Sequence, residues 1–526
     1  MIVARRIRWL VIGLMASYAV SIGGRGGSAS RLQYCITDYG AVGDGRTLNT
    51  AAIQQAIMTA STQGGGTVVV PEGVFLTGGL VLVSGIELRI QKNATLLGST
   101  NPLDYTRTSG HPGLIVADTA MGISITGGGS IDGQGLQLAL TIDSLYRVGQ
   151  FNDPQYSRDR YRPSEAVRPY VLGFTRCSNI VVKGVTVRNG AGWVQVYTLC
   201  DRLSIDSVLV ESIAYWNNDG IDICDCRNVS VTHCTINTAD DGICLKSQGA
   251  DACVDSVAIS HCTVRSSASA VKFGSDSRGG FRNVTVSHLT VFDTYRSAIA
   301  IECVDGGVVE NIAVSDVQAR NTGNAFFIRL GHRNPDERIS TVKDVTIENL
   351  RAEIPFGRPD INYDLRGPET PFNHNPFPAS ITGIPGHPVR NVTLKNIVVD
   401  HPGRGTKGMA YASLSSLDRV PEAEKNYPEF SMFGELPAWG LYVRHAAGLT
   451  IEEMALHLRE SDYRPACVFD DAEAVRVEEP EILSPDNRPA IVLRNVRKGI
   501  IGRLKVNGTI SHSILQLGAC ESIEEH

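Results

Sequence analysis

The sequence has few aromatic residues and, beyond its first 23 residues, no long apolar run. Aromatic residues make up 6% of the 526 residues, whereas glycine occurs 53 times. This composition disfavours a helical bundle and favours a β protein rich in turns. Hydrophobic residues still reach 42%, which is enough to build a sizeable core and makes a disordered chain unexpected.

The chain also lacks an excess of basic residues. It carries 49 Lys and Arg against 55 Asp and Glu, a formal net charge of −6. The first 30 residues contain four Arg and no acid, so their removal would take the charge to −10. Nucleic acid is therefore not an expected partner, because basic patches supply that affinity. A polyanionic substrate would need a locally basic cleft.

The N-terminal segment has the pattern of a signal peptide. Arg5, Arg6 and Arg8 precede an apolar run from Trp9 to about Gly23, and small residues follow as far as Ser30. The run is short for a membrane span, and no second one follows. We predict a signal peptide over residues 1–30, a secreted or periplasmic protein and no stable membrane span. An uncleaved anchor is the alternative.

The twelve cysteines do not form a recognisable metal motif. Cys224, Asp225 and Cys226 lie near His233 and Cys234, which could suggest zinc, but no second CxxC pair occurs. In a strand, Cys224 and Cys226 would share one face with ordinary core spacing. We expect most cysteines to be small buried hydrophobic residues, with no metal and no cofactor.

One strand pattern recurs along most of the chain. Each copy has a turn residue, alternating apolar residues, a small residue and a second short apolar run. Six successive copies start 23 to 28 residues apart, at Asn179, Arg202, Asn228, Ser256, Asn283 and Asn311. This period predicts the coils of a parallel β-helix, and Asn at the start of a coil suits a left-handed turn. The missing leucine ladder and aromatic blade signatures exclude leucine-rich repeats and propellers.

Two features interrupt the repeat. Residues from Thr50 to about Ala60 have helical spacing, and Thr50 is the expected N-cap of a helix that covers the N-terminal end of the solenoid. The irregular stretches at about 355–390 and 401–436 predict long loops. We therefore expect a single catalytic β-helix domain over residues 31–526 with two loop excursions.

Two neighbouring copies carry unusual carboxylates. "WNNDGIDI" contains Asp219, and "ADDGICL" contains Asp240 and Asp241. Because Asp219 and Asp240 are 21 residues apart, close to one coil, we expect them to lie one above the other. Three close carboxylates cannot all ionise easily, which would provide an acid beside a base, as glycoside hydrolysis requires. A calcium site or a run of turn-forming Asp-Gly pairs is the alternative.

The chain resembles the polygalacturonase family of glycoside hydrolases, family 28. The resemblance covers roughly Tyr39 to Asp400 and is most specific where "NNDGID" and "ADD" match the family's Asn-Thr-Asp and Gly-Asp-Asp motifs. It implies a right-handed parallel β-helix that cleaves pectic polymers with inversion. It also implies that Asp240 is the general acid, whereas Asp219 and Asp241 hold and deprotonate the water.

Two later motifs of that family are altered here. Ser269 stands where the family has the His of Gly-His-Gly, and Ala300 and Glu302 stand where it has the Arg and Lys that hold a galacturonate carboxylate. A glutamate at the lysine position would repel a uronate at that subsite. The resemblance therefore implies the acid and base chemistry but not galacturonate as the substrate.

Other polar residues are candidate substrate ligands that could compensate. An ordinary role on the surface or between coils is the alternative for several of them. The candidates are Asn217, Lys246, Ser269, Lys272, Glu302, Arg329, Arg333, Arg444 and His445. Tyr427, Phe433 and Trp439 could stack on a sugar ring. Loops that fold over one end of the groove would make the enzyme exo-acting.

We therefore predict a secreted glycoside hydrolase acting on a plant or algal polysaccharide or its oligosaccharides. One rival is a polysaccharide lyase on the same fold, which would need a calcium-binding acidic cluster and a basic Arg or Lys. The other rival is a non-catalytic β-helix that only binds carbohydrate.

Overall fold

The chain winds into a right-handed parallel β-helix, which confirms the predicted fold class. The computed structural model describes residues 32–108, 110–361, 373–486 and 488–526. The expected signal peptide at residues 1–30 lies outside the described residues. Each full coil runs through three short strands that bend into one another, and each strand pairs in parallel with its counterpart in the next coil.

The strands stack into three faces, which we call A, B and C. Face A contains Gln33–Cys35, Gly66–Val70, Ile86–Ile90, Ser124–Gly127, Ser178–Lys183, Asp201–Asp206, Arg227–Thr232, Val254–Ser260 and Glu521–Glu525. Face B contains Gly73–Thr77, Ala94–Gly98, Ser130–Asp132, Thr186–Arg188, Leu209–Ser212, Thr235–Thr238, Thr263–Ser266, Glu481–Leu483 and Lys505–Val506. Face C contains Leu80–Val81, His111–Asp118, Tyr170–Thr175, Gln195–Thr198, Ile221–Cys224, Ile243–Ser247, Val271–Ser277, Ala379–Thr382 and Ile514–Leu517.

Later strands continue without a break from one face to the next. These strands are Gly280–Cys303, Val308–Leu330, Thr341–Glu353, Val389–His401, Leu441–Leu458, Cys467–Glu478 and Ile491–Gly502. Two short strands pair antiparallel instead: Thr106–Thr108 with the strand of His111, and Thr509–Ile510 with the strand of Lys505.

The turn residues that open the repeats have the backbone that the sequence predicted. The first residue of each of the six copies named above has a positive φ, between 53° and 58°. Asparagine adopts this left-handed conformation more readily than most residues. Inside the solenoid, alternate side chains of the three faces form one continuous apolar core, and Cys177, Cys200 and Cys226 are buried within it.

The helices differ in part from the prediction. Helix α1 (Thr50–Thr62) packs against the first coil, but its N-cap residue is Asn49 rather than Thr50. The Asn49 side chain holds the preceding turn, accepting a bond from Val42 N at 2.7 Å. Helix α2 (Gly135–Arg147) was not expected, although its buried Leu138 and Ile142 have helical spacing. The 3-10 helices are Ile36–Tyr39, Pro102–Asp104, Glu165–Val167 and Leu414–Arg419.

The first loop excursion, predicted at about 355–390, ends earlier in the structure. The chain returns to face C at Ala379–Thr382, which pairs with Phe327 to Arg329 of the previous coil. Only a short turn then separates that strand from Val389 on face A. The second excursion joins the strand that ends at His401 to the strand that begins at Leu441. Among the described residues, no helix has the length and apolarity that crossing a membrane requires.

Candidate active site

The three aspartates lie where the chain turns from face B into face C. The strand pairing sets Ile221 beside Ile243, so that Asp219 lies beside Asp241, 22 positions later. The backbone bond from Gly220 N to Asp241 O, at 2.9 Å, extends the same register into the turn. The expectation that Asp219 stacks on Asp240 is therefore wrong by one residue, because the strands that follow fix the register.

Tight packing explains the Asp-Gly pairs and the asparagine before them. A Cβ on Gly220 would lie 2.6 Å from the backbone oxygen of Gly242, so neighbouring turns leave no room for a side chain there. Asn218 is buried, and its amide donates to the backbone oxygens of Gly190 and Gly192 at 3.0 and 2.9 Å. Asn218 thereby fixes the turn that presents Asp219.

The carboxylates meet in one cleft. One oxygen from each of Asp219, Asp240 and Asp241 lies within 4.8 Å of the other two. Asp219 and Asp241 are buried, whereas Asp240 is half-buried. The cleft has a volume of about 360 Å³. It is lined by Glu165, Trp193, Asn217, Asp219, Asp240, Asp241, Lys246, Ser275, Asp276 and Tyr427.

Lys246 joins two carboxylates on one side of the cleft. Its Nζ lies 3.1 Å from an oxygen of Asp219 and 3.1 Å from an oxygen of Asp222. The same ammonium donates to the Cys244 sulfur at 3.0 Å and lies 4.5 Å from the ring centre of Trp193. We call Lys246, Asp219 and Asp222 the Lys246 cluster.

Lys272 makes a similar arrangement one coil further on. Its Nζ lies 3.1 Å from an Asp241 oxygen, 3.8 Å from a Glu302 oxygen and 3.0 Å from the Tyr427 hydroxyl. Only 1% of the Lys272 side chain is exposed, so the ammonium lies behind the cleft surface. Asp241 also accepts from Ser269 N at 3.0 Å. We call Lys272, Asp241 and Glu302 the Lys272 cluster.

Burial raises the pKa of several of these carboxyl groups. It raises the pKa of Asp240 to about 7, and the neighbouring charges of Asp219 and Asp241 add to the rise. Burial also raises the pKa of Asp219 to about 8, because it outweighs the effect of Lys246. A carboxyl with such a pKa keeps its proton near neutral pH and can donate it.

Asp241 titrates in the opposite direction. Burial opposes its charge, but Lys272, Arg296 and Lys246, together with the Ser269 N–H, hold the pKa of Asp241 below its usual value. The cleft therefore contains a protonated carboxyl beside an ionised one. This is the pairing that acid and base catalysis requires.

The same carboxylates are close enough to share a cation. Asp219, Asp240 and Asp241 form one such group, and Asp219, Asp222 and Cys244 form another. In the second group the Lys246 ammonium already lies within 3.1 Å of both aspartates. In that second group, a side chain of this protein therefore already supplies a positive charge beside the aspartate oxygens.

Five predicted ligands lie in or directly behind the cleft. Asn217 and Lys246 line it. Lys272 and Glu302 are buried behind it, and Ser269 contributes its backbone N–H rather than its buried side chain. Arg333 lies at the rim, with its guanidinium 5.8 Å from the Tyr427 ring and 2.7 Å from Asp305.

The remaining predicted ligands lie outside the cleft lining and contact other parts of the protein. The Arg329 guanidinium is buried and donates to the backbone oxygens of Gly383 and Glu422 at 2.9 and 2.6 Å. Arg444 stacks three coils beyond Glu302, which puts it about 14 Å along the helix axis. Arg444 and His445 both pair with Glu422 in the second loop excursion. None of these three residues lines the cleft.

The aromatic predictions divide in the same way. Tyr427 is 51% exposed and lines the cleft. Phe433 and Trp439 are 5% and 1% exposed, and they pack against Arg329 and His401. Of these three aromatic residues, only Tyr427 lines the cleft.

Several site residues were missed from the sequence. In its strand, Asp222 lies between Ile221 and Ile223, whose side chains face the core, so its own side chain points outward. The sequence "GIDI" already shows this alternation. Arg296 is buried near Asp240 and Asp241 and pairs with Glu429 at 3.3 Å. Trp193 and Glu165 reach the cleft from segments that carry no motif, so no local pattern marks them.

Comparison with known proteins identifies the family. The model of glycosyl hydrolases family 28 matches residues 61–355. A probable polygalacturonase of Vitis vinifera is 25% identical over 415 residues, which cover 71% of this chain and 75% of that protein. An exo-poly-alpha-D-galacturonosidase of Dickeya chrysanthemi is 29% identical over 40% of this chain and 41% of its own length.

Solved structures agree on the fold. A hyperthermoactive exopolygalacturonase from Thermotoga maritima aligns with a TM-score of 0.57 at 24% identity, over 70% of this chain and 88% of its own. A polygalacturonase from Erwinia carotovora aligns with a TM-score of 0.54 at 19% identity, over 70% of this chain and 93% of its own. With the carboxylate cleft and the family match, these findings establish that the chain belongs to glycosyl hydrolases family 28 and is a polygalacturonase-like glycoside hydrolase.

Proposed function

We propose that the protein is an exported, exo-acting glycoside hydrolase that cleaves a pectin-like polysaccharide or its oligosaccharides with inversion. The observation that carries this proposal is the group of three carboxyl groups in one cleft, Asp219, Asp240 and Asp241, with an oxygen of each within 4.8 Å of the other two. The pKa shifts of two of them, in opposite directions, support it. The pKa of Asp240 is raised to about 7, whereas that of Asp241 is lowered.

Each carboxyl group receives one role. Asp240 is the general acid, which passes its proton to the oxygen of the leaving sugar as the glycosidic C–O bond breaks. Asp241 is the base, which takes a proton from water as the water oxygen bonds to the anomeric carbon. Asp219, held by Lys246, positions that water. One water is consumed and no covalent intermediate forms.

The second loop excursion supports exo action. It places Tyr427 at the cleft, where the hydroxyl lies 3.0 Å from Lys272 Nζ. The excursion is held to the coils by the salt bridge of 2.6 Å between Arg444 and Glu422. A loop fixed over the cleft would obstruct a long chain that runs through it, so cleavage near a chain end is favoured.

The substrate class and location rest on other observations. Matched relatives are named polygalacturonases, and two are named endo-xylogalacturonan hydrolases, which favours a pectin-like polymer. The basic and apolar N-terminal segment supports export. We also propose that residues 31–526 act as one catalytic unit, since the described strands pair from Gln33 to Glu525.

Hydrolysis is favoured over elimination by a lyase. A lyase needs a free basic side chain to abstract a proton, whereas Lys246 and Lys272 are each held by two carboxylates. A lyase product would absorb in the ultraviolet, and hydrolysis gives no such absorbance.

The test is a panel of pectic, other plant and algal polysaccharides, with product size and anomeric configuration measured by NMR. We expect inverted products of one or two units from the outset. Asp240→Asn should lower kcat about 10²- to 10⁴-fold. The control Asp316→Asn, at a half-buried position in the turn between faces A and B, should leave kcat unchanged. Unchanged turnover in Asp240→Asn would rule out the hydrolase assignment, and early mid-size oligomers would rule out exo action.

A further inference from the structure

The cleft is strongly acidic. Its lining includes five carboxyl groups but, among the residues the structure describes there, a single cation, Lys246. The carboxyl groups belong to Glu165, Asp219, Asp240, Asp241 and Asp276. Even with Asp219 and Asp240 protonated, three carboxylates face the cleft. A bound anion would meet a negative potential that low-dielectric walls strengthen.

The single lining cation is already engaged. Lys246 Nζ lies 3.1 Å from oxygens of both Asp219 and Asp222, and its side chain is 8% exposed. A ligand carboxylate could bind this ammonium only by displacing a buried partner. Removing one partner from a buried pair leaves an uncompensated charge, which is costly.

The cations behind the surface are engaged as well. Lys272 is 1% exposed and lies between Asp241 and Glu302. Arg296 is 7% exposed and pairs with Glu429 at 3.3 Å. Arg333 at the rim is bound to Asp305 at 2.7 Å. Lys246, Lys272, Arg296 and Arg333 are therefore each paired with a carboxyl group of the protein itself.

We propose that the sugar unit seated in this cleft is uncharged, so that the site selects a neutral sugar and rejects a uronate. This inference rests on the proposed function and adds the charge class of the unit beside the cleaved bond. Hydroxyl groups of a neutral sugar donate hydrogen bonds to carboxylates, which the lining provides in excess. Trp193 and Tyr427 supply apolar surface for the faces of the sugar ring.

One nearby cation offers the opposite reading. Arg162 is half-buried outside the cleft lining, with its guanidinium 5.0 Å from the ring centre of Trp216. If a uronate were bound after all, Arg162 would be the side chain to hold it. Arg162→Ala would then weaken the uronate substrate selectively, whereas our proposal expects neutral and uronate substrates to change together.

The first experiment compares two forms of one oligosaccharide prepared from the substrate that the panel identifies. In one form the units at the cleaved bond are uronates, and in the other their carboxyl groups are reduced to alcohols. We expect kcat/KM to be at least tenfold higher for the neutral form. Equal values, or a preference for the uronate, overturn the proposal. Failure of the hydrolase assignment is recognised separately, by a fully active Asp240→Asn.

The second experiment changes the charge of the lining without changing Asp219, Asp240 or Asp241. Asp276 has a side-chain exposure of 44% and Asp316 one of 43%, so Asp276→Asn and Asp316→Asn are matched variants. We expect Asp276→Asn to raise kcat/KM for the uronate form about two- to fivefold relative to the neutral form, because it removes a repulsive charge. Asp316→Asn should leave the ratio unchanged. An unchanged ratio in Asp276→Asn, or one that moves toward the neutral form, overturns the proposal.

Discussion

The Lys246 and Lys272 clusters use the same parts one coil apart, but they titrate differently. In each, a buried lysine joins two carboxylates and lies near an aromatic ring, that of Trp193 at 4.5 Å or of Tyr427 at 5.2 Å. Yet the pKa of Asp219 is raised to about 8, whereas that of Asp241 is lowered.

The distances and neighbours explain this difference. Lys246 is shared equally, at 3.1 Å from each of Asp219 and Asp222. Lys272 is 3.1 Å from Asp241 but 3.8 Å from Glu302, so Asp241 receives most of its field. Asp241 gains further from Arg296 and from the Ser269 N–H. A lysine shared equally between two carboxyl groups does not offset the burial of either one, whereas a lysine closer to one of them favours the ionised form of that one.

The largest expected effect separates Asp219 from Asp241, the two cleft aspartates that stack on each other. Asp241→Asn removes the ionised base and should lower kcat about 10³-fold. Asp219→Asn should cost about tenfold, because an amide resembles the neutral carboxyl already present there. Steady-state kinetics at pH 6 on the panel substrate would check this order. Equal losses would show that Asp219 and Asp241 share the base role.

The next effect concerns the lysines themselves. Lys272→Met leaves ionised Asp241 buried without its partner and should lower the free energy of unfolding by about 3–5 kcal/mol. Lys246→Met should cost less, about 1–3 kcal/mol, because its carboxyl groups take up protons more easily. Denaturant titration at pH 7 measures both changes.

A matched control for these lysines lies on the surface. Lys343, 38% exposed, pairs with Glu310 at 2.9 Å, and Lys343→Met should change stability by less than about 1 kcal/mol. The double variant Lys272→Met with Asp241→Asn should recover part of the loss of Lys272→Met. A larger loss in Lys246→Met than in Lys272→Met would contradict the comparison.

The raised carboxyl groups predict a pH dependence of stability. Burial raises the pKa of Asp222 and Glu302 to about 7, close to that of Asp240. A raised folded-state pKa means that the protonated form favours folding. That contribution is present below the unfolded pKa near 4 and is lost as the pH rises through about 7. The melting temperature should therefore fall between pH 5 and 8.

Asp222→Asn tests the origin of that slope. An amide cannot ionise, so this variant should flatten the fall in melting temperature relative to the parent. Asp316→Asn, whose side chain is 43% exposed, serves as the control. The rate should fall over the same range, as Asp240 loses the proton that it donates. A melting temperature that rises from pH 5 to 8 would refute the assignment of proton-bearing carboxyl groups.

The sequence predicted the part of this arrangement that follows from the repeat. The period and the turn residues are local, so they gave the solenoid and brought the three aspartates together. The register was wrong by one residue because it depends on the strand after the turn, where Ile221 pairs with Ile243. A spacing of 21 against 22 residues cannot be resolved from coils that vary in length.

The missing part is long-range. Nothing in the irregular second excursion indicates that Tyr427 reaches Lys272, 155 residues earlier. Arg329 and Arg444 looked like free cations because the backbone oxygens of Gly383 and Val420 that they bind carry no sequence signal. Which cations can face the cleft therefore depends on how the loops pack against the solenoid.

The smallest predicted effect concerns the aromatic partner of each cluster. Tyr427→Phe keeps the ring over Lys272 but removes the hydroxyl that Lys272 Nζ contacts at 3.0 Å. One hydrogen bond is worth about 0.5–1.5 kcal/mol, so kcat/KM should fall about two- to tenfold. Trp193→Phe removes no such bond, so it should shift the pH–rate profile less, although it reduces the apolar surface that faces the sugar.

The pH–rate profile distinguishes the two variants, because only Tyr427→Phe changes the surroundings of Lys272, the lysine beside ionised Asp241. A shifted acidic limb in Tyr427→Phe, with an unshifted one in Trp193→Phe, is the expected result. The same shift in both variants would show that the rings, rather than the hydroxyl, set the difference between the clusters.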